Sequence, residues 1–554
     1  MRSGGSPRLF AIAGSAVLTI VESSVCMKKP VATSHSMMVS ARSDGVAAAL
    51  GRVASDMGLR CGRKSRPDST VIRDCPAARP ARRLTNPKNE RKAADMTPLE
   101  QLWHAAACDP AALASLTVTG GDPQLPSVYR VAALATAAIG ASALAAAECF
   151  RERTGRTQQV ELDARRACVA FRSERYLRID DGAAPELRDP LMGFYETRDG
   201  RWIQLHTNFA HHREGVVRVL GCANDHASVT QAIRARDGAA LDQALADAGL
   251  CAALIRSPDE WAALPQARAV AGLPLIEIIR IGDAPPRPIG DARAERPLAG
   301  VRVLDLSRII AGPVAGRTLA QHGADVLLIN GPHLPNIAPL VIDNGRGKRS
   351  ATLDLREASG RESLRALLGE ADVFLQSYRP QSLAARGFGP EDAARARPGI
   401  IYASVSAYGH EGPWAARRGF DSLVQSASGI AWTEARAAGE TKPRHLPCQA
   451  LDHATGYLAA FGAMVALQRR AKEGGSWLVR VSLAQTGHWL KSLGTQEDGQ
   501  RAPDPAIDDV RDALQTMESP FGRLTCTEPA ERMTATPPHW SRPPVPIGTD
   551  QPRW

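Results

Sequence analysis

Two stretches of this 554-residue chain repeat each other, and the repeat limits what the chain can fold into. LPSVYRVAALATAAIGASALAAAECFRERTGRTQQVELDARRA, from residue 125, aligns without a gap onto LPCQALDHATGYLAAFGAMVALQRRAKEGGSWLVRVSLAQTG, from residue 446. Each copy reads as a small-residue apolar helix, a basic turn and a V-x-L strand, with Val160 and Leu162 falling on Val481 and Leu483. The copies differ at one chemically decisive position, where Asp452 in the second is matched by Val131 in the first. A carboxylate is almost never buried unless it is paired or used, and one near a helix N-terminus is stabilised as the anion. A first-turn cap is the plain alternative for a lone Asp. Read alone, Val131 to Ala147 could pass for a membrane span, but it is slightly short and contains Gly. Its partner carries Asp452, His453 and Gln468, so both copies read as buried helices and no membrane is expected.

Upstream of Asp452, LAGVRVLDLSRIIAGPVAGRTLAQHGADVLLI (298–329) has a strand, turn, helix, strand order. That is the βαβ unit of a parallel sheet, with Ala311-Gly312-Pro313 opening the helix. No GxGxxG is present, so a dinucleotide site has no support. NGRGKRSATLDLR (344–356), ADVFLQSYRP (371–380), RGFGPEDAARARPGIIYASVSAYGHEGPW (386–414) and RRGFDSLVQSASGI (417–430) follow.

Taken in order, LDLSRIIAGP, KRSATLDL, SYRP, IIYASVSAYGHEGP, GFDSLVQ and the Asp of ALDHATG resemble the N-terminal half of the family III CoA transferases over about 298–490. The family includes formyl-CoA transferase, carnitine CoA-transferase and alpha-methylacyl-CoA racemase. The resemblance implies an α/β fold with a Rossmann-like parallel sheet and a smaller α+β domain. It implies an aspartate that attacks an acyl-CoA thioester, then carries CoA as an enzyme thioester to an acceptor carboxylate. Asp452 matches that nucleophile. Coenzyme A enters as substrate, with no permanently bound cofactor. Ile310, Ala311, Ser377, Tyr378 and Arg418 match cofactor contacts. Arg346, Arg349, Arg379 and Arg386 are the nearby cations expected to suit its phosphates, alongside Lys348 and Arg417. Gly193, Tyr408, Gly409 and Phe420 are the expected acyl-side positions. Racemases of this kind carry His immediately before the Asp of the xD motif, where this chain has Phe420 before Asp421. Phenylalanine cannot shuttle a proton, so CoA transfer is favoured over racemization. A catalytically weak member that only binds acyl-CoA is the second alternative.

RDPLMGFYETRDGRWIQLHTNFAHHREGVVRVLGC (188–222) resembles the family's smaller domain, with a hairpin turn at Asp199 and Gly200. His206, His211 and His212 lack supporting ligand spacing, so no metal is expected. The expected order of parts is therefore rearranged. Residues 96–282 form a degenerate copy of the family's later half, 283–297 a Pro-rich linker, 298–490 the catalytic half, and 491–554 an irregular Pro-rich tail. Relatives of this kind form homodimers, which is the expectation here.

Residues 1–95 hold 17 Lys and Arg against 7 Asp and Glu, which accounts for the whole net charge of +10. The basic excess is thus no property of the enzyme body, and nucleic acid is not an expected partner. This segment reads as disordered or as an over-extended reading frame, with Met96 opening a capped helix at Thr97, Pro98 and Glu100. Ten Cys without CxxC spacing, and a need for CoA, point to the cytoplasm.

Overall fold

The computed structural model describes residues 96–291 and 295–554, so the expected N-terminal extension lies outside the described residues. The described strands are β1 (Leu116–Thr119), β2 (Val160–Asp163), β3 (Arg178–Ile179), β4 (Gly193–Glu196), β5 (Trp202–Leu205), β6 (Ala252–Leu254), β7 (Glu277–Gly282) and β8 (Arg302–Leu306). After them come β9 (Asp325–Asn330), β10 (Lys348–Thr352), β11 (Val373–Gln376), β12 (Ile401–Ser406), β13 (Ser476–Ser482), β14 (Leu514–Ser519), β15 (Gly522–Thr527) and β16 (Glu531–Met533). The central sheet runs β10-β9-β8-β11-β12-β13-β7, parallel except for β7 at one edge. Runs such as Val303–Leu306 and Val373–Gln376 are buried residue after residue, as strands covered by helices on both faces must be. The chain steps outward from β8 through β9 to β10, then returns to β11 on the other side of β8. That reversal leaves a crevice at the carboxyl ends of β8 and β11, where doubly wound sheets bind their ligands.

The repeated helices, Val131–Thr154 and Ala450–Glu473, pack against each other at the centre of the molecule. Gln468 Nε2 donates to the Ala145 carbonyl at 3.3 Å and the Cys149 thiol to the Met464 carbonyl at 3.8 Å, a pairing that makes the helices antiparallel. Both are long and apolar enough to cross a membrane by length and composition, and both are largely buried inside this fold. The strands that follow them part company. β13 enters the central sheet, whereas β2 lies between β1 and β16 in a separate sheet of three. At the start of the described chain the Thr97 hydroxyl accepts from Glu100 N and Glu100 closes the expected capping box.

A smaller antiparallel sheet, β4-β5-β6, carries the helices Ala210–Leu220, His226–Arg234 and Gly238–Asp247 on a core of its own around Tyr195, Ile203, Val216 and Leu241. The expected hairpin joins β4 to β5, with Gly200 at φ +69°. This α+β unit docks on the larger one through Gln204 Nε2 to Ser422 Oγ (2.9 Å) and the Arg417–Asp242 ion pair (2.5 Å).

Two boundaries differ from expectation. β7 belongs to the first half by sequence but completes the central sheet, so a division at 282 and 298 cuts through one structural unit. The tail is not irregular throughout. β14 and β15 form a hairpin that extends β3, and β16 pairs with β2. Its tryptophans dock individually, Trp540 Nε1 on the Arg317 carbonyl and Trp554 Nε1 on the Leu367 carbonyl. Few apolar residues suffice where each meets a cation or a free carbonyl.

Candidate active site

The crevice at the sheet reversal opens into a cavity of about 360 Å³, and Asp452 forms part of its wall. The turn after β8 shapes one side. Ile309 adopts φ +76°, a left-handed conformation costly for a β-branched residue, which persists only where its surroundings enforce it. Here they do so through Arg308 N donating to Ser377 Oγ (3.2 Å) and Asn344 Nδ2 donating to the Ile309 carbonyl (3.3 Å). The Ala311–Gln321 helix starts from this turn and crosses the Asp452 helix at Gly456. A Cβ at Gly456 would lie 2.5 Å from the Ala311 carbonyl oxygen and 2.7 Å from Val314 Cβ, so only glycine allows the two helices to approach this closely.

Asp452 sits in the first turn of its helix and is 7 % exposed. Its backbone N–H donates to Asp421 Oδ2 at 2.8 Å, and Asp421 begins the Asp421–Ala427 helix. Burial, then the charges of Asp421 and Glu174, push the Asp452 carboxyl well above the usual carboxylate range. Burial pushes Asp421 up to about 6. His453 points away from the cavity. Its Nε2 lies 3.0 Å from Glu174 Oε2 and its ring stacks on Phe171 at 5.6 Å, both partners coming from the first half of the chain. Thr455 is likewise turned inward, bonded to Thr486 Oγ1 at 2.6 Å.

Of the residues expected at the site, Asp452, Ile310, Ala311, Ser377, Tyr378, Arg379, Arg386, Arg418 and Phe420 all line the cavity. Arg418 Nε has no hydrogen-bond partner among the described residues, and Arg386 donates to the Ser382 carbonyl. Arg379 is held below its ordinary value by burial and by Arg418 beside it, so this wall concentrates positive charge. Phe420 stacks on His206 with centroids 4.0 Å apart and planes 8° from parallel. Burial keeps the His206 imidazole neutral, down to about 4.

Seven of the expected residues lie off the cavity wall. Arg346 is fully buried, bonded to Asp343 and to the Thr527 carbonyl and lying 4.1 Å from the Trp540 ring. Arg349 pairs with Asp325, donates to the Arg553 carbonyl and lies over Trp554. Both cations clamp the C-terminal segment and neither faces the cavity. Tyr408 is buried edge-on against Trp414, Gly409 makes a turn at φ +92°, and Gly193 pairs with Leu205 in the hairpin, all off the cavity wall. Lys348 is enclosed too, against Asp305 at 2.8 Å, and Arg417 is spent on Asp242.

Arg308, Arg356, His211, His212 and Cys251, which the motifs do not mark as site residues, also line the cavity, and Asp421 reaches the first turn of the Asp452 helix. Arg308 stands inside the LDLSRIIAGP motif and could have been found there, whereas Cys251 and the histidines arrive from the smaller domain by folding alone. His212 Nε2 lies 3.7 Å from Cys251 Sγ, and burial pushes that thiol up to about 12. No group of three or more His, Cys, Asp or Glu placed to hold a metal occurs among the described residues.

The family model for "CoA-transferase family III" matches residues 104–278 and 298–527. The chain is 32 % identical over 332 residues to the acetyl-coenzyme A transferase nodX of Hypoxylon pulicicidum, covering 56 % of each protein. It is 33 % identical over 230 residues to the probable fatty acyl-CoA transferase Rv3272 of Mycobacterium tuberculosis, covering 38 % of this chain and 58 % of that one. Against human succinyl-CoA:glutarate CoA-transferase it is 33 % identical over 192 residues, covering 32 % and 43 %. A crystal structure of Rv3272 aligns at TM-score 0.34 and 33 % identity over 36 % of this chain and 59 % of that one. The chain spans about half the length of the curated relatives it matches. With its doubly wound sheet, its cavity at the sheet reversal and the family match over both halves, this chain belongs to CoA-transferase family III.

Proposed function

We propose that this protein moves CoA from an acyl-CoA thioester to a carboxylic acid, with Asp452 as the covalent nucleophile. One observation carries the reading: a buried carboxylate at a helix N-terminal turn opens into a cavity that Arg379, Arg386 and Arg418 also line. Those arginines suit the diphosphate and the phosphorylated ribose of CoA. Asp452 Oδ attacks the thioester carbonyl and the CoA thiolate leaves, giving a mixed anhydride. The thiolate then attacks Asp452 Cγ, which releases the donor carboxylate and leaves CoA on the enzyme as a thioester. An acceptor carboxylate attacks that thioester, again expelling thiolate, and the thiolate takes the acceptor acyl group as Asp452 is regenerated. Burial strips water from a carboxylate that would be a weak nucleophile in solution. Phe420, stacked on His206, stands where a racemase of this kind carries His and cannot itself move a proton, which supports transfer over racemization.

Some relatives are named for succinyl-CoA as donor, so succinyl-CoA belongs in the first panel together with acetyl- and propionyl-CoA. The reading carries with it a cytoplasmic setting, where CoA is available, and a homodimer. Mass spectrometry after incubation with that panel and hydroxylamine should find Asp452 converted to a hydroxamate. Asp452→Ala should lose transfer by more than about a hundredfold, the scale of a lost transition-state group, while binding of CoA by titration calorimetry stays within a few-fold. Transfer that survives in that variant would remove Asp452 from the role.

A further inference from the structure

The two repeated helices are capped in an unusual and shared way. Neither N-cap residue, Arg130 or Gln449, caps its helix with its own side chain. Instead a carboxylate from outside the helix takes the first free amides. Asp122 accepts from Ala132 N (2.7 Å) and Ala133 N (2.9 Å) in the first copy, and Asp421 accepts from Asp452 N (2.8 Å) in the second. The caps sit at different separations, about ten residues upstream in one case and thirty-one in the other, so the alignment of the copies does not reveal the correspondence. In the first copy the cap serves a helix whose matching residue is Val131, and its role there ends with the helix. In the second the capping carboxylate stands beside another buried carboxylate.

We infer that Asp421 is a positioning residue for Asp452, which fixes the nucleophile's turn through its backbone amide and raises the energy of the Asp452 anion by its own charge. This rests on the reading of Asp452 as nucleophile. A neutral acceptor such as Asn or Ser would cap the amide without a like charge, so the charge is what asks for a second function. Forming the mixed anhydride or the thioester removes the charge of Asp452 and with it the repulsion from Asp421. The covalent states are thereby favoured relative to the free enzyme with Asp452 ionised, with no additional reactant. Asp421 is itself held in place, its Oδ1 accepting from Gln425 Nε2 while Gln425 Oε1 accepts from Leu446 N at 2.8 Å.

Arg418, three residues before Asp421, lines the same cavity as Asp452, and Arg175 and Arg172 act on Cys448 beside the pair. Glu174 and His453 bond to each other, and Cys448, just before the Asp452 helix, has its thiol pushed up to about 12 by burial. On the adjoining helices Glu434 bonds to Ser127 and Lys491 to the Ser428 carbonyl, while Cys251 stands next to β6. Replacing Asp421 by Asn therefore changes the one charge that, among the described residues, bonds directly to the nucleophile's turn.

The test uses the full chain and whichever of succinyl-, propionyl- or acetyl-CoA forms the trapped adduct, comparing wild type, Asp421→Asn, Asp421→Ala and Asp452→Ala. Asp421→Asn should lower kcat by about ten- to a hundredfold, the scale of a single preorganised electrostatic group, with KM for the acyl-CoA within about threefold. The acid limb of its kcat/KM profile should move to lower pH, and a smaller fraction of enzyme should be trapped as covalent adduct at equal substrate concentrations. If Asp421→Ala fails to fold, Asp421→Asn decides alone. An Asp421→Asn enzyme with kcat within about twofold of wild type and an unmoved acid limb, alongside an inactive Asp452→Ala, would overturn the inference and leave Asp421 a structural cap. An active Asp452→Ala would instead overturn the nucleophile assignment, and this inference with it.

Discussion

Asp421 and Asp452 meet where the starts of two helices touch, the first carboxyl held near 6 by burial and the second well above the usual range by burial and by its acidic neighbours. The consequence for stability follows from linkage. A carboxyl whose folded value lies above its ordinary 3.8 binds its proton more tightly in the folded state. Its contribution is complete below about pH 4 and is lost as pH rises to about 6. Asp421→Asn should therefore gain melting temperature relative to wild type as pH is raised across that window, measured by calorimetry in matched buffers. The arginines divide in the same chemical terms. Arg418, unpartnered at its Nε on the cavity wall, should raise KM for acyl-CoA by tenfold or so when changed to Gln, a loss of about 1.4 kcal/mol in binding. Arg346 is paired, stacked and off the cavity wall, so Arg346→Ala should lower the melting temperature and leave KM within a few-fold. Steady-state kinetics together with melts on both variants separates the two kinds of cation.

At the scale of elements, the site depends on three connections that meet at one place. The left-handed turn at Ile309 launches the Ala311–Gln321 helix, Gly456 lets that helix touch the Asp452 helix, and the Asp421–Ala427 helix caps the same turn. Gly456→Ala drives a methyl to within 2.5 Å of the Ala311 carbonyl oxygen. It should cost about 1–3 kcal/mol, the ordinary range for overpacking, and it should also slow transfer by displacing the cavity wall. A denaturation series with activity measured on the folded enzyme would show both, and an unchanged midpoint would mean that the helices can separate without strain.

At the scale of the whole molecule, the half that holds Asp452 leans on the other for its packing. It borrows β7 for the sheet edge, the Val131–Thr154 helix as partner for its own buried helix, Glu174 and Phe171 to hold His453, and the smaller domain for one side of the cavity. Residues 298–554 expressed alone would leave the apolar 24-residue helix without its partner. This fragment should be insoluble or inactive, and co-expression with 96–297 should restore soluble, active protein. Size-exclusion chromatography and an acyl-CoA transfer assay test this, and a monodisperse, fully active 298–554 fragment would show that the first half is an independent module.

Most elements outside the tail, and the chemistry they carry, are legible in neighbouring residues. Hydrophobic period and turn residues mark the βαβ start at 301–329, the hairpin at Gly200 and the paired apolar helices, and the contrast between Asp452 and Val131 identifies the one copy that could carry a nucleophile. These are local signals, written in neighbouring residues. Which cations face the cavity follows from long-range packing, because Arg346 and Arg349 look as available as Arg379 and Arg418 until the C-terminal segment folds back to claim them. The cap of Asp452 by a carboxylate thirty-one residues upstream, and the arrival of β7, Glu174 and Cys251 from the first half, are likewise contacts between distant segments. A side chain's partner across the fold is set by packing of the whole chain, and no period or motif within reach of that residue records it.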